Sequence, residues 1–435
     1  MNPFGVRDGS REVMDGHDPE WRWKALRWAC HEAVRRQQPF TFLNNNGLSY
    51  PGGPFPNRLM VGTRRDLRPG PGDFLNEVQA AFRERPSCLA GFLTYDFKNR
   101  LEALESRHSD HLALPDGYFY EPAYRFDFGA DRVVVAGPEP EAVLDQIDRT
   151  AVPASASLSP TVSVRCRVSR EEYLANVRRI REHILAGDVY ELNYCMEFYA
   201  ENVRLDPFAL YCRLNERSPM PFSVFQKVGD VYLMGASPER FLKKEGTRLV
   251  SQPIKGTIRR GQTPGEDEQL KEALRNNEKE QAENLMIVDL VRNDLARSAE
   301  TGSVRVEELF GIYTFRQVHQ MISTVSATLR PDVPFTDAIR HAFPMGSMTG
   351  APKVRAMELI EQYEASRRGL YSGTVGYITP EGDFDFNVVI RSMLYNARTG
   401  YLSFSVGSAI TFDADPAAEY DECLLKASAM LAVLV

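Results

Sequence analysis

Apolar positions along this chain follow two spacings, one suited to helices and one to strands. Residues 20–36 carry the first helical pattern, with Trp21, Trp23 and Trp28 along it, and 39–43 reads as a strand. From 47 to 72 glycine and proline break the pattern into loop, apart from a short apolar stretch at Leu59, Met60 and Val61. Residues 74–83 regain helical spacing, 89–96 reads as a buried strand, 131–136 as another strand, and 140–149 as a helix. Residues 1–20 read as weakly ordered. The small, polar, proline-containing run at 150–163 reads as a linker. The division that follows is an N-terminal region at 1–150, a linker at 151–163 and a larger domain at 164–435.

Beyond the linker, Ser169 and Glu172 stand in capping-box spacing and open a helix to about Leu185, which Gly187 ends. A strand pattern at 189–199 follows, and strands alternate with helices to the end of the chain. The last helix begins at Asp415-Pro416, a capping acid with proline at the first helical position.

One stretch concentrates candidate chemistry. The β-prone Arg248-Leu249-Val250 leads into Ser251-Gln252-Pro253-Ile254-Lys255-Gly256-Thr257, which reads as a strand end turning sharply at Lys255. Behind it, 265–300 is helical and carries Glu280 and Glu283, three apart on one face. Glu419 and Glu422 repeat that spacing on the last helix. If the two helices face each other, four carboxylates converge, which is untenable in a cleft without a cation. All-oxygen donors with room for water suit Mg²⁺. The residues alone leave a plainer alternative open, a surface lysine beside solvated acids. The run GSMTGAPK at 346–353 puts proline at a helix start, a place that suits an anion or simply caps a helix.

Composition narrows the class. With 43% apolar and 26% charged residues in 435, the chain is an ordinary globular one, forming one large unit or two closely joined. A net charge of −7 argues against nucleic acid or an anionic membrane as partner. An anionic substrate then needs a local basic pocket. Cys30, Cys88, Cys166, Cys195, Cys212 and Cys423 form no CxxC pair and read as free thiols. With no membrane-length apolar run and no signal-peptide core near the start, a cytoplasmic location is expected.

Pro253-Ile254-Lys255-Gly256-Thr257 resembles the signature of the chorismate-utilising enzymes, which include anthranilate synthase component I, aminodeoxychorismate synthase component I, and the isochorismate and salicylate synthases. Six further blocks resemble family motifs in family order: ASPERF at 236–241, LMIVDLVRNDLA at 285–296, GSMTGAPK, RGLYSGTVGY at 368–377, GSAI at 407–410 and EYDECLLK at 419–426. The resemblance implies an α/β, anthranilate synthase component I-like fold, with two large, mostly antiparallel sheets in a sandwich and helices outside. It implies Glu239 as general acid, and Mg²⁺ held directly by Glu283 and Glu422 and through water by Glu280 and Glu419. Tyr371 and Arg391 match positions that hold the enolpyruvyl carboxylate. Thr257, Thr349, Gly407, Ala409 and Lys426 match the rest of the substrate pocket. His319 matches a pocket histidine, and the residues alone equally allow a packed core histidine.

Within the family, a lysine at the position of Lys255 points to the aminodeoxychorismate branch, where it is thought to act as a nucleophile. Its amine must be neutral to attack, and Arg259 and Arg260 stand close in sequence as cations that could favour that form. Three positions depart from the commonest pattern: Ile258, Met345 and Glu191. Glu191 stands where glutamine is usual in aminating members and lysine in water-adding ones. No glutaminase elbow (Gly-x-Cys-x-Gly) occurs, so the expected partners are chorismate, ammonia and a separate glutamine amidotransferase subunit. The expected product is 4-amino-4-deoxychorismate, for p-aminobenzoate and folate synthesis. The alternatives are anthranilate synthase component I and, in another class, a non-catalytic subunit that only anchors a glutaminase.

Overall fold

The computed structural model describes residues 10–14, 19–151 and 161–435. Most of the stretch read as weakly ordered, at 1–9 and 15–18, lies outside the described residues, as does 152–160 of the linker. The backbone of Ser10–Met14 is a strand paired with Arg132–Ala136.

Local rules read from the sequence are visible at several element ends. Ser169 Oγ accepts a hydrogen bond from the Glu172 amide at 3.1 Å and caps Arg170–Leu185. Gly187 then takes φ +81°, a conformation that suits glycine. Asp415 Oδ1 accepts from the amides of Ala417 and Ala418 at 3.0 and 2.9 Å, opening Pro416–Ala432. The helical run at 265–300 is in fact two helices, Pro264–Arg275 and Glu278–Ala296. They part at Asn276 and Asn277, where Asn277 Oδ1 accepts from the Glu280 amide at 3.1 Å. Asparagine competes for backbone groups and so favours a cap over a helix interior.

The strands pair antiparallel in a twelve-stranded and a ten-stranded sheet. The two sheets face each other, and the Tyr120 hydroxyl in the second donates to Thr41 Oγ1 of the first at 2.9 Å. Helices cover the outer sides, among them Pro416–Ala432 against Tyr401–Ile410, and Glu278–Ala296 against Val318–Thr328. Both sheets run across the linker position. Phe40–Asn44 pairs with Phe222–Val228, and Leu89–Leu93 with Thr374–Ile378.

Two chain passages between the sheets lie side by side. Val231–Ser237 belongs to the twelve-stranded sheet and Arg240–Glu245 to the ten-stranded one, so Pro238-Glu239 crosses between them. Residues 388–391 cross back, from Phe384–Asn387 to Ser392–Asn396. The Val388 amide donates to the Glu239 carbonyl at 3.0 Å, and Ser237 Oγ to the Val388 carbonyl at 2.6 Å. Next to these bonds, Arg240 is fully buried against Asp385, with Nε–Oδ1 at 2.8 Å and Nη2–Oδ2 at 2.9 Å. Its Nη1 donates to Gln252 Oε1 at 2.5 Å, and its plane lies over Phe222 at 4.9 Å. Removing one partner of a buried pair leaves the other charge uncompensated. Asp385→Ala is therefore expected to lower the unfolding free energy by about 3–5 kcal/mol in urea titration, with Asp385→Asn costing less.

Candidate active site

The crossing passages present two charged groups. Glu239 is buried, and Ser347 Oγ donates to its Oε1 at 2.6 Å. Burial pushes its carboxyl up to about 7, against the pull of the Ser347 hydrogen bond and the Lys255 charge. Arg391 adopts φ +50°, a strained conformation for a non-glycine residue. Burial draws its guanidinium down to about 10, with Glu239 opposing. Among the described residues that guanidinium has no hydrogen-bond or ion-pair partner. A planar fork of free donors away from water suits a carboxylate.

Lys255 does not stand at a strand end. It lies on a bulge within Ile254–Arg259, where Ile254 pairs with Ile322 and Thr257 with Gln320. Lys255 and Gly256 together oppose a single residue, and a bulge re-aims the side chains around it. Gly256 takes φ +87°, and a Cβ there would stand 3.2 Å from Glu280 Oε2. The bulge thus rests directly on the acidic helix. The Lys255 charge acts on the carboxyls of Glu239, Glu191, Glu283 and Glu422, and among the described residues its amine has no hydrogen-bond or ion-pair partner. The neighbouring cations named from sequence are already engaged. Arg259 pairs with Glu266 at 2.6 Å and Arg260 with Asp267 at 2.8 Å, both acids lying on Pro264–Arg275.

Glu278–Ala296 and Pro416–Ala432 bring the four glutamates together. Burial, with Glu283 and Glu422 adding to it, pushes Glu280 up to about 7. Burial also raises Glu283, whereas for Glu422 it is outweighed by Lys426, Lys279 and Lys255, which hold that carboxyl below its ordinary value. Lys279 bridges the helices, with Nζ 2.9 Å from Glu419 Oε1 and 3.6 Å from Glu283 Oε1. Lys426 Nζ lies 2.7 Å from Glu422 Oε1 and donates to the Gly407 carbonyl at 2.9 Å. Glu419 Oε2 is buried and has no hydrogen-bond partner among the described residues. Among the described residues no three acidic, histidine or cysteine side chains are gathered tightly enough to hold a metal ion as they stand. The donor set nevertheless fits a hard divalent cation. It is all oxygen, its members raise one another's pKa, and one buried oxygen lacks a partner.

The other residues named from sequence take different places. Thr257 is exposed on the strand beyond the bulge. Thr349 is buried, and its hydroxyl donates back to the Met345 carbonyl at 3.2 Å. The Tyr371 hydroxyl is buried 3.6 Å from Cys195 Sγ. Gly407 pairs with Cys195 and Ala409 with Asn193, and a Cβ at 407 would meet Cys195 Sγ at 2.5 Å. His319 is wholly buried, with one ring nitrogen 2.9 Å from Thr314 Oγ1 and the other 2.9 Å from Asp267 Oδ1. Both nitrogens are taken, so its ring holds Asp267 rather than offering a nitrogen to a ligand. Six free cysteines match the thiols expected. Among the described residues no helix is long and apolar enough to cross a membrane.

Three contributors escaped sequence reading. Ser347 holds Glu239, whereas the pattern of GSMTGAPK points to its backbone and helix start. Lys279 joins the two acidic helices. Arg368, buried against Glu364 at 2.6 Å, donates to the carbonyls of Met348 (2.6 Å) and Asn193 (2.8 Å) and so ties that turn to Glu191–Ala200. For Ser347 the only signal was a hydroxyl among glycines, and for the other two a charge of unknown burial.

The model of chorismate binding enzymes matches residues 63–432, and the chain belongs to that family. It is 38% identical to aminodeoxychorismate synthase component 1 of Klebsiella aerogenes over 344 residues, 78% of this chain and 76% of that one. It is 36% identical to anthranilate synthase component 1 of Thermus thermophilus over 355 residues, 79% of this chain and 76% of that one. The fold is similar to the crystal structure of anthranilate synthase component I from Streptococcus pneumoniae, with TM-score 0.74 and 24% identity over 99% of this chain and 95% of that one. The two-sheet α/β architecture expected from the motifs is thus the one found.

The Glu239 carboxyl yields a stability test. Its folded pKa of about 7 exceeds the unfolded value of ~4.3, so the folded state binds more protons between them and stability falls as pH rises through that window. Glu239→Gln, which carries no charge to bury, is expected to be the more stable protein at about pH 8, by on the order of 3 kcal/mol. The gap should close below about pH 4, as thermal unfolding across pH would show.

Proposed function

We propose that this chain replaces the C4 hydroxyl of chorismate with an amino group, forming 4-amino-4-deoxychorismate with ammonia delivered by a separate glutamine amidotransferase subunit. The observation that carries the reading is Lys255, an amine on a bulge that has no hydrogen-bond or ion-pair partner among the described residues and is set among carboxyls that include Glu239. Family membership supplies the chorismate skeleton as substrate, and a lysine at this position resembles the aminodeoxychorismate branch.

The chemistry assigns each group a task. The Lys255 lone pair bonds to C2, the two ring double bonds each shift one place, and the C4 hydroxyl leaves as water with a proton from Glu239. A carboxyl with pKa about 7 still carries that proton in part of the population near neutrality, as a general acid requires. Ammonia then bonds to C4, the double bonds shift back, and the C2–N bond breaks, returning its electron pair to Lys255. The free guanidinium of Arg391 and the amine of Lys426 supply positive charge for the substrate carboxylates inside an acidic protein. Glu283 and Glu422, with Glu280 and Glu419 behind them, would hold Mg²⁺, which when bound supplies charge neutralisation for a ring carboxylate.

A second reading is favoured by the similar identity to an anthranilate synthase component 1, namely amination at C2 with loss of pyruvate. Product analysis separates the two. With chorismate, Mg²⁺ and ammonium, we expect a product that becomes p-aminobenzoate only after a lyase is added, and anthranilate made without a lyase would overturn the proposal. Lys255→Ala is expected to abolish the C4-aminated product, and intact-mass analysis of the natural protein under turnover should show an adduct that this variant lacks. Chelation of divalent ions is expected to stop turnover and Mg²⁺ to restore it, with Glu283→Gln needing a higher Mg²⁺ concentration.

A further inference from the structure

The cation that links the two acidic helices has no task in the scheme above. Lys279 is the second residue of Glu278–Ala296. Its Nζ lies 2.9 Å from Glu419 Oε1 on the last helix and 3.6 Å from Glu283 Oε1 on its own. Those two carboxyls are its only hydrogen-bond or ion-pair partners among the described residues. Local helix energetics do not favour the arrangement. A cation in the first turn opposes the helix dipole, and lysine four residues ahead of glutamate is the weaker order of that pair. The carboxylates therefore hold the amine where it is. The bridge is also incomplete, because Lys279 reaches one oxygen of Glu419 and leaves the buried Oε2 without a hydrogen-bond partner among the described residues.

The other lysine of the acidic helices is anchored more firmly. Lys426 pairs with Glu422 at 2.7 Å and also donates to the Gly407 carbonyl at 2.9 Å. The Lys279 side chain is 44% exposed and has no such backbone bond. Its flexible stem can swing into solvent at the cost of the two ion pairs alone. Glu283 and Glu419 are two of the four carboxyls that fit a hard divalent cation. Two cations within ion-pair range of the same carboxylates repel each other, and the doubly charged one is attracted more strongly. We propose that Lys279 is a displaceable counter-ion, bridging Glu283 and Glu419 until Mg²⁺ binds and then releasing them. In that role it holds the two helices together against carboxylate repulsion and sets the affinity for Mg²⁺. The inference rests on reading the glutamates as an Mg²⁺ site, and not on which carbon of chorismate is aminated.

The test uses the full chain stripped of metal by chelation, with Lys279→Met as the variant that keeps most of the stem and removes the charge. Calorimetric titration is expected to show Lys279→Met binding Mg²⁺ more tightly than the natural chain, by about fivefold or more in Kd. Without Mg²⁺ the variant is expected to melt at a lower temperature. At saturating Mg²⁺ the two should melt together, because stability lost before binding reappears as affinity. A second measurement needs no variant. Labelling of the natural chain with an amine-reactive anhydride, read by peptide mass spectrometry, is expected to modify Lys279 faster once Mg²⁺ is added. Lys271, ion-paired to Glu268 on the preceding helix, serves as the unchanged reference. Unchanged or weaker Mg²⁺ binding by a folded Lys279→Met overturns the proposal, as does a Lys279 labelling rate that Mg²⁺ leaves unaltered. So does a melting difference that persists at saturating Mg²⁺, which marks a purely structural bridge. In each of these cases the natural chain still binds Mg²⁺ and the metal reading stands. If the natural chain takes up no Mg²⁺, the metal reading fails and this proposal with it.

Discussion

The buried contact between Arg240 and Asp385 is the constraint on which the site's geometry depends. Two passages of chain leave one sheet for the other at the same place, and this ion pair is formed immediately beside both. Arg240 follows Glu239 directly, and Asp385 lies in the strand that leads to 388–391. Locking the two residues together fixes the separation of the passages, and with it the relation of Glu239 to Arg391. An ion pair this deep contributes little net stability compared with apolar packing, but its bidentate geometry admits only one register. That is a good arrangement for a site whose acid and anion-binding groups come from residues about 150 positions apart in sequence.

Around that fixed frame the site is a problem in charge. The protein is acidic overall, and six carboxyls (Glu191, Glu239, Glu280, Glu283, Glu419 and Glu422) act on one another or on Lys255 within one region. Part of this charge is offset within the chain, by Lys279 across the two helices and by Lys426 along one of them. Part is suppressed by burial, which leaves Glu239 and Glu280 with carboxyls near 7. The remainder is unmet, as the orphaned oxygens of Glu191 and Glu419 record. A site in that condition stores affinity for cations, and Arg391 stores it for an anion. Such concentrations of perturbed groups cost stability and are characteristic of places where chemistry is done.

Much of this was legible in the chain itself. Helix ends at Ser169, Gly187 and Asp415 follow from short-range capping chemistry, which depends on a few neighbouring residues and so survives any tertiary context. The glutamate pairs could be placed on single helix faces from spacing alone. Errors fell where local and distant forces compete. The long helical pattern at 265–300 hid a break, because one cap at Asn277 outweighed the continuity around it. The local pattern puts Lys255 at a strand end, because a bulge needs a partner strand and the partner, Val318–Thr328, lies some sixty residues away. Arg259 and Arg260 are close to the lysine in sequence, but Glu266 and Asp267 claim them first, which proximity along the chain does not reveal.

By itself, then, the sequence determined the types of chemical group, the local caps and the ordered motifs that mark the family. Burial, partner choice and strand order were decided only by the tertiary structure. Those properties depend on which distant segments meet, as when Phe40–Asn44 joins Phe222–Val228 across the linker or Ser347 reaches Glu239. A carboxyl's character as acid, ligand or unmet acceptor is set by solvent exclusion and by neighbours within a few ångströms. Neither is a property of position along the chain.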